Sequence, residues 1–240
     1  MYCRQGDGPG TWNTGAAPGG VGIPRKRNAE KLSVLVHGDD FVATGGREDI
    51  AEFRAALRKR FTVKDKIVGS RKDLGEITET RILNRSVRCT NSGWEYEADQ
   101  RHAELINKHL GLGSSSAKSV TSPGQKRTKE EDDDEEELTS AEATKYRALT
   151  ARAMFLAQDR TDIGFAVKEL SRKMSKPRQM DMRELKRLGR YLIGRERMIL
   201  EFKRQDRNSI IDVWTDTDYA GCPETRKSTS GGNIMLGSHM

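Results

Sequence analysis

Eight consecutive acidic residues, Glu130–Glu137, limit what this chain can build more than any other feature. Such a block repels itself and offers no apolar area to bury, so no packed element is expected to run through it. The Ser- and Lys-containing stretch before it extends the break, and 113–138 reads as a disordered acidic linker. Ahead of this break the apolar residues change between a period of two and a helical period; behind it the helical period dominates. The expected fold class is α+β, with an antiparallel sheet ahead of the linker and a helical segment after it. Apolar supply is thin, 34% hydrophobic against 33% charged over 240 residues. The Gly- and Pro-containing residues 1–30, which have no apolar period, therefore read as a flexible N-terminal segment.

Local signals place the elements. Leu32–Val36 and Phe41–Thr44 are β-favouring runs around His37-Gly38-Asp39-Asp40, the pattern of a β-hairpin. Ile50, Phe53, Leu57 and Phe61 recur at helical spacing, with Arg47, Arg54 and Arg58 on another face. Thr80–Thr90 reads as one strand, Asn91-Ser92-Gly93 as a turn and Trp94-Glu95-Tyr96 as the start of another strand. A helix over 99–110 ends at Gly111. Past the acidic run, Thr139-x-x-Glu142 has the form of a capping box. Helices are expected over 161–175 and 179–193, punctuated by Pro177, and strands over 198–203 and 209–215.

The net charge is +7 and the pI about 9.3. Between residues 138 and 205 there are 17 Lys and Arg against 8 Asp and Glu, so this segment is far more basic than the chain as a whole. A polyanionic partner suits that balance. In the last predicted helix Met182, Leu185, Leu188 and Leu192 form an apolar stripe, while Arg183, Lys186, Arg187 and Arg190 share a basic face. That face is either a solvated surface or a track for a nucleic-acid backbone. Cys3, Cys89 and Cys222 are too far apart for a zinc pair and imply no disulfide framework. No apolar run approaches a membrane span, and no signal-peptide stretch opens the chain, so the expected setting is intracellular, in cytoplasm or nucleus, without a membrane partner.

Asp39 and Asp40 are the sharpest chemical feature. Adjacent carboxylates at a hairpin tip can hold a hard divalent cation through oxygen. Nucleotidyl transfer uses two such metals about 3.5–4 Å apart, which requires a third ligand from another strand. Gly and Asp are also ordinary turn residues, so the pair alone leaves both readings open. Three classes of function follow: a polymerase-related segment, a non-enzymatic nucleic-acid-binding module, and an unrelated metal-dependent phosphotransfer enzyme.

The wider pattern narrows these. The hairpin followed by Phe53-x-x-x-Leu57 and Arg60-Phe61 resembles the C-terminal half of the palm of copia-type retrotransposon reverse transcriptases. Lys145-Tyr146-Arg147-Ala148-Leu149 and Arg160-Thr161-Asp162-Ile163-Gly164-Phe165-Ala166-Val167 are similar to that family's YRSL and RPDIxFAV patterns. Leu170–Pro177 is similar to LSRxMSxP, and Leu185–Gly194 to LKRxLRYLKG. Thr215-Asp216-Thr217-Asp218-Tyr219-Ala220-Gly221 with Arg226–Gly232 resembles the opening of the family's ribonuclease H. The resemblance covers about 31–240. It implies a partial palm over 31–112, a thumb- or connection-like basic segment over 139–205 and the beginning of ribonuclease H over 206–240.

What the resemblance implies for chemistry is specific. Asp39 and Asp40 fill the palm's metal motif, Asp39 being the direct ligand. Asp216 is the first ribonuclease H carboxylate, with Asp218 as an alternative. Mg2+ or Mn2+ is the implied cofactor, and the implied partners are an RNA/DNA template-primer duplex and deoxynucleotides. Arg183, Lys186, Arg187 and Arg190 are the nucleic-acid-binding candidates. The usual Tyr-Val before the paired Asp is His37-Gly38 here, and the Pro of RPDI is Thr161. No upstream metal strand or fingers subdomain precedes residue 31, so the chain is expected to be catalytically incomplete by itself.

Overall fold

The computed structural model describes residues 32–113, 117–125, 136–206, 210–222 and 225–240. The expected flexible segment 1–30 and most of the acidic run lie outside them. The chain divides into two compact units between Thr78 and Glu79.

In the first unit β1 (Ser33–His37) pairs antiparallel with β2 (Asp40–Thr44), with His37 opposite Asp40. Gly38 and Asp39 form the two-residue loop. Gly38 has φ +58° and Asp39 is not among the positive-φ residues, as a type II′ turn requires. Helix α1 (Arg47–Arg58) follows, with Glu48 and Asp49 in its first turn and Arg58 in its last, charges that favour its dipole. Phe53 and Leu57 bury against Phe41, Val34 and Ala43. Ile50 and Phe61, expected in the same stripe, are only half-buried. The arginine face is not simply solvated, because Arg54 and Arg58 both pair with Asp65 at 2.7 Å.

Among the described residues, the second unit has a four-stranded sheet, four α-helices and, near its end, a separate two-stranded sheet. Strands β3 (Glu79–Ile82), β4 (Arg85–Cys89), β5 (Gly93–Glu97) and β6 (Ile199–Lys203) lie in that order, all antiparallel. The single strand expected over Thr80–Thr90 is in fact two. Leu83 and Asn84 take φ of 49° and 66°, which turns the chain back on itself. Asn tolerates that region but Leu does not advertise it, so composition hid the turn.

Helices α2 (Arg101–Leu110), α3 (Ser140–Ala157), α4 (Gly164–Arg172) and α5 (Gln179–Gly194) enclose the main core. Ile106, Tyr146, Ala153, Ile163, Leu185, Leu188 and Leu192 are fully buried there. Each such aliphatic or aromatic side chain contributes roughly 1.5–3 kcal/mol by leaving water. Gly189 permits the close approach of α5 to α2, since a Cβ there would lie 2.7 Å from a Leu112 methyl and 2.8 Å from one of Leu110. The Thr139–Glu142 capping box forms as expected and starts α3.

Both ends of the segment read as an acidic linker are ordered. Glu136 accepts a bond from the Gln179 amide at 2.9 Å, and Leu138 is buried. Residues 117–125 run beside α5, where the Lys118 carbonyl accepts from Arg190. The acidic run thus interrupts the second unit instead of separating two units. Beyond β6, β7 (Ile211–Thr217) and β8 (Ser230–Leu236) form a two-stranded sheet of their own, with Ile211, Val213, Trp214 and Ile234 exposed. The mixed architecture with small antiparallel sheets is α+β.

Candidate functional sites

The hairpin geometry delivers the Asp pair to the turn between β1 and β2. Asp39 is exposed and Asp40 half-buried beside Phe41, which is 2% exposed and anchors the strand. Both carboxylates offer hard oxygen ligands of the kind Mg2+ and Mn2+ take. Among the described residues, however, no group of three or more His, Cys, Asp or Glu side chains is placed to hold a metal ion. Two carboxylates alone do not constitute the site that two-metal chemistry needs, and no metal-dependent step is assigned to them.

Asp216 and Asp218 lie at the end of β7. Asp216 is exposed, opposite Gly231, and one of its oxygens accepts the Thr217 amide at 2.8 Å. Asp218 is used to shape the loop. Its carboxylate accepts the Thr229 amide, its own amide donates to the Thr229 carbonyl at 3.1 Å, and a Cβ at Gly221 would collide with that carboxylate. Of the two, Asp216 is the one with a carboxylate not drawn into a cross-loop bond.

On α5 the four basic candidates separate. Arg183, Arg187 and Arg190 line one pocket of about 190 Å³ with Met180, Glu184 and Gln125. Lys186 is exposed and does not line it. Arg187 is half-buried, and its Nε is buried without a hydrogen-bond partner. Arg190 donates from Nε to the Lys118 carbonyl at 2.7 Å. That Gln125 lines this pocket had no signal in the sequence, because a Ser-, Lys- and Gly-containing stretch reads as a linker.

Several residues in the family-like motifs hold helices instead of doing chemistry. The Tyr146 hydroxyl donates to the Leu170 carbonyl at 2.7 Å, and Arg147 reaches the Met174 and Ser175 carbonyls. Arg160, 1% exposed, forks onto Asp162 at 2.9 and 2.7 Å, and Tyr191 donates to the same carboxylate. Burial is the largest single influence on Asp162 and pushes its carboxyl up, but the bonds and charge of Arg160, with Tyr191, together outweigh it and hold the carboxyl below its ordinary value. Nearby, Asp159 accepts from Arg85 and from Tyr96 at 2.6 Å. Burial, and then that bond to Asp159, pushes the Tyr96 phenol up to about 12. Cys222 is buried with Arg172 Nη2 at 2.8 Å from its sulfur, a contact no spacing rule could have found.

No helix among the described residues is long and apolar enough to cross a membrane. No protein-family model and no solved structure matches the chain. Curated relatives do. The chain is 33% identical over 215 residues to the retrovirus-related Pol polyprotein from transposon RE1 of Arabidopsis thaliana, and 26% identical over 215 residues to that from transposon RE2. Each match takes in 89% of this chain and 14% of the polyprotein, so the chain corresponds to a small part of their length. An uncharacterized mitochondrial protein of the same plant, AtMg00810, is 32% identical over 219 residues, which is 87% of this chain and 80% of that protein. The chain thus belongs to one family with AtMg00810, and it is similar to a stretch of the two retrotransposon Pol polyproteins.

Proposed function

We propose that the chain is the part of a copia-type RNA-directed DNA polymerase that runs from the palm's metal hairpin into the start of ribonuclease H. The exposed Asp39 on a type II′ tip, followed by the matching downstream motifs, carries this reading. In it Asp39 is the direct ligand for Mg2+ or Mn2+, Asp40 its neighbour, and Asp216 opens the ribonuclease H carboxylates. The remaining ligands must come from outside the described residues, and the chain alone is therefore expected not to extend a primer. Joined to the preceding segment of a related Pol polyprotein, it should extend a DNA primer on an RNA template, and Asp39→Asn should abolish that extension. Extension by the joined protein that survives both Asp39→Asn and Asp40→Asn would remove the assignment.

A second activity is favoured by the arginine pocket on α5. Phosphate contacts need positive charge at a suitable spacing, whereas catalysis needs every ligand in place. The isolated chain is a sequence-independent duplex-binding module with an affinity on the order of 10⁻⁴–10⁻⁶ M. Raising salt from about 50 to about 200 mM should weaken binding steeply, and Arg187→Glu with Arg190→Glu should weaken it further. Binding that ignores both changes would leave the basic face a solvated surface.

A further inference from the structure

The β7–β8 ribbon carries Asp216 on a strand whose every residue is exposed. A two-stranded antiparallel pair is marginally stable at best in water, and side chains from elsewhere in the second unit tie this one down at both ends. At the Leu236 end, Gln205 donates to the Leu236 carbonyl at 2.8 Å and accepts the Ser238 amide at 2.9 Å. At the Asp216 end the ties come from α4. Lys168 Nζ donates to the Thr229 hydroxyl at 2.6 Å, and Arg172 Nη2 lies 2.8 Å from the Cys222 sulfur. The two cations are four residues apart and so share one side of the helix. Glu169 meets both, at 2.9 and 3.4 Å, which keeps them on that side.

From Thr229 the contact passes to Asp216 in two steps. The Thr229 carbonyl accepts from the Asp218 amide at 3.1 Å and from the Thr217 hydroxyl at 3.2 Å. The Thr217 amide in turn donates to the Asp216 carboxylate at 2.8 Å. Ala220 and Arg226 sit at φ of 51° and 54°. Non-glycine residues keep that conformation where their surroundings over-determine it, which fits a segment clamped from outside. The structure assigns Lys168 and Arg172 as positioning residues for Asp216, acting through 218–222 and 225–229. The assignment rests on the ribonuclease H reading for what Asp216 does; the clamp itself does not. A helix ahead of β6 thus sets the orientation of a carboxylate that opens the next domain.

The test follows amide hydrogen exchange by NMR in the full chain. Lys168→Met with Arg172→Met removes both ties and keeps unbranched side chains. The Thr217 and Asp218 amides should then exchange about fivefold or more faster. Amides of the helical core, such as Leu149, should stay within about twofold, which a general loss of stability would not allow. Lys168→Arg alone, which keeps a charged donor, should leave Thr217 and Asp218 within about twofold of the wild type. Unchanged exchange at those two amides in the double variant overturns the assignment, since the loop then holds itself. An equal acceleration at Leu149 overturns it too, by making the cations general supports of the fold. Mn2+ added to the same samples separates the underlying reading. Mn2+ should broaden the wild-type Thr217 amide, Asp216→Asn should remove the effect, and the double variant should need about tenfold more Mn2+, as lost outer-shell support does. Equal broadening in wild type and double variant overturns the positioning role. No broadening in either, with the exchange result intact, keeps the clamp and removes Asp216 as a metal ligand.

Discussion

Glu97 is 3% exposed and still carries its charge, because Arg197 reaches it at 2.7 and 2.9 Å, Gln100 donates to it, and Arg88 lies at 2.9 Å. Arg197 first, then Gln100 and Arg88, overcome the opposing effect of burial and hold the carboxyl at about 2, against 4.5 unperturbed. The folded-state value is the depressed one, so this stabilisation is fully present above pH 4.5 and is lost as the pH falls toward 2. Arg197 is itself half-exposed, and solvent screening brings the expected contribution to about 1–2 kcal/mol. Urea denaturation of the wild type should show stability falling over that window, and Glu97→Gln should flatten the fall while lowering the plateau. An unchanged slope in Glu97→Gln would assign the acid sensitivity to other carboxylates. None of this was legible beforehand. Glu97, Arg88 and Arg197 are ordinary surface residue types, and the strand order that gathers them depends on a pairing distant in sequence.

Elements were more legible than their boundaries. Helices α1, α2, α3 and α5 follow directly from apolar spacing, a capping box and Gly111, and the β1–β2 hairpin follows from alternation around a Gly-Asp loop. The β3–β4 turn escaped because Leu83 occupies a left-handed position, and β8 escaped because Ser230–Leu236 carries two glycines and only a short apolar run. The hairpin tip also accounts for one departure from the family pattern. Gly38 sits at φ +58°, with open space where a Cβ would go, so backbone conformation and not crowding selects glycine there. Gly38→Val places a β-branched residue in that conformation and should destabilise the first unit by about 1–2 kcal/mol. Thermal melts in which Gly38→Val matches the wild type would show that the tip relaxes to another turn.

For the whole molecule, composition marks the wrong kind of landmark. The acidic run is the most visible break in the sequence, yet the compact units divide at Thr78 and Glu79, just after the much shorter Gly69–Gly75 stretch with its Arg71-Lys72-Asp73 cluster. The candidate sites were readable as residue types, but not their surroundings: neither the docking of Lys118 on Arg190 nor the loop that occupies Asp218 has a local signature. The reason is visible in β5, whose partner β6 comes about a hundred residues later, with Glu97 opposite Ile199. That separation has a consequence during synthesis. A ribosome adding about 5–20 residues per second leaves the free edge of Gly93–Glu97 without its neighbour for roughly 5–20 s. An unpaired strand edge recruits other chains, so chains stopped just before Ile199 should accumulate as insoluble aggregates, while those extended past Lys203 should remain in solution. Equal solubility of the two products in a pelleting assay would mean that the helices alone shield the edge. If the expectation holds, the last strand of the sheet acts as a checkpoint on the nascent chain, and a premature stop upstream of it yields waste instead of a shorter working protein.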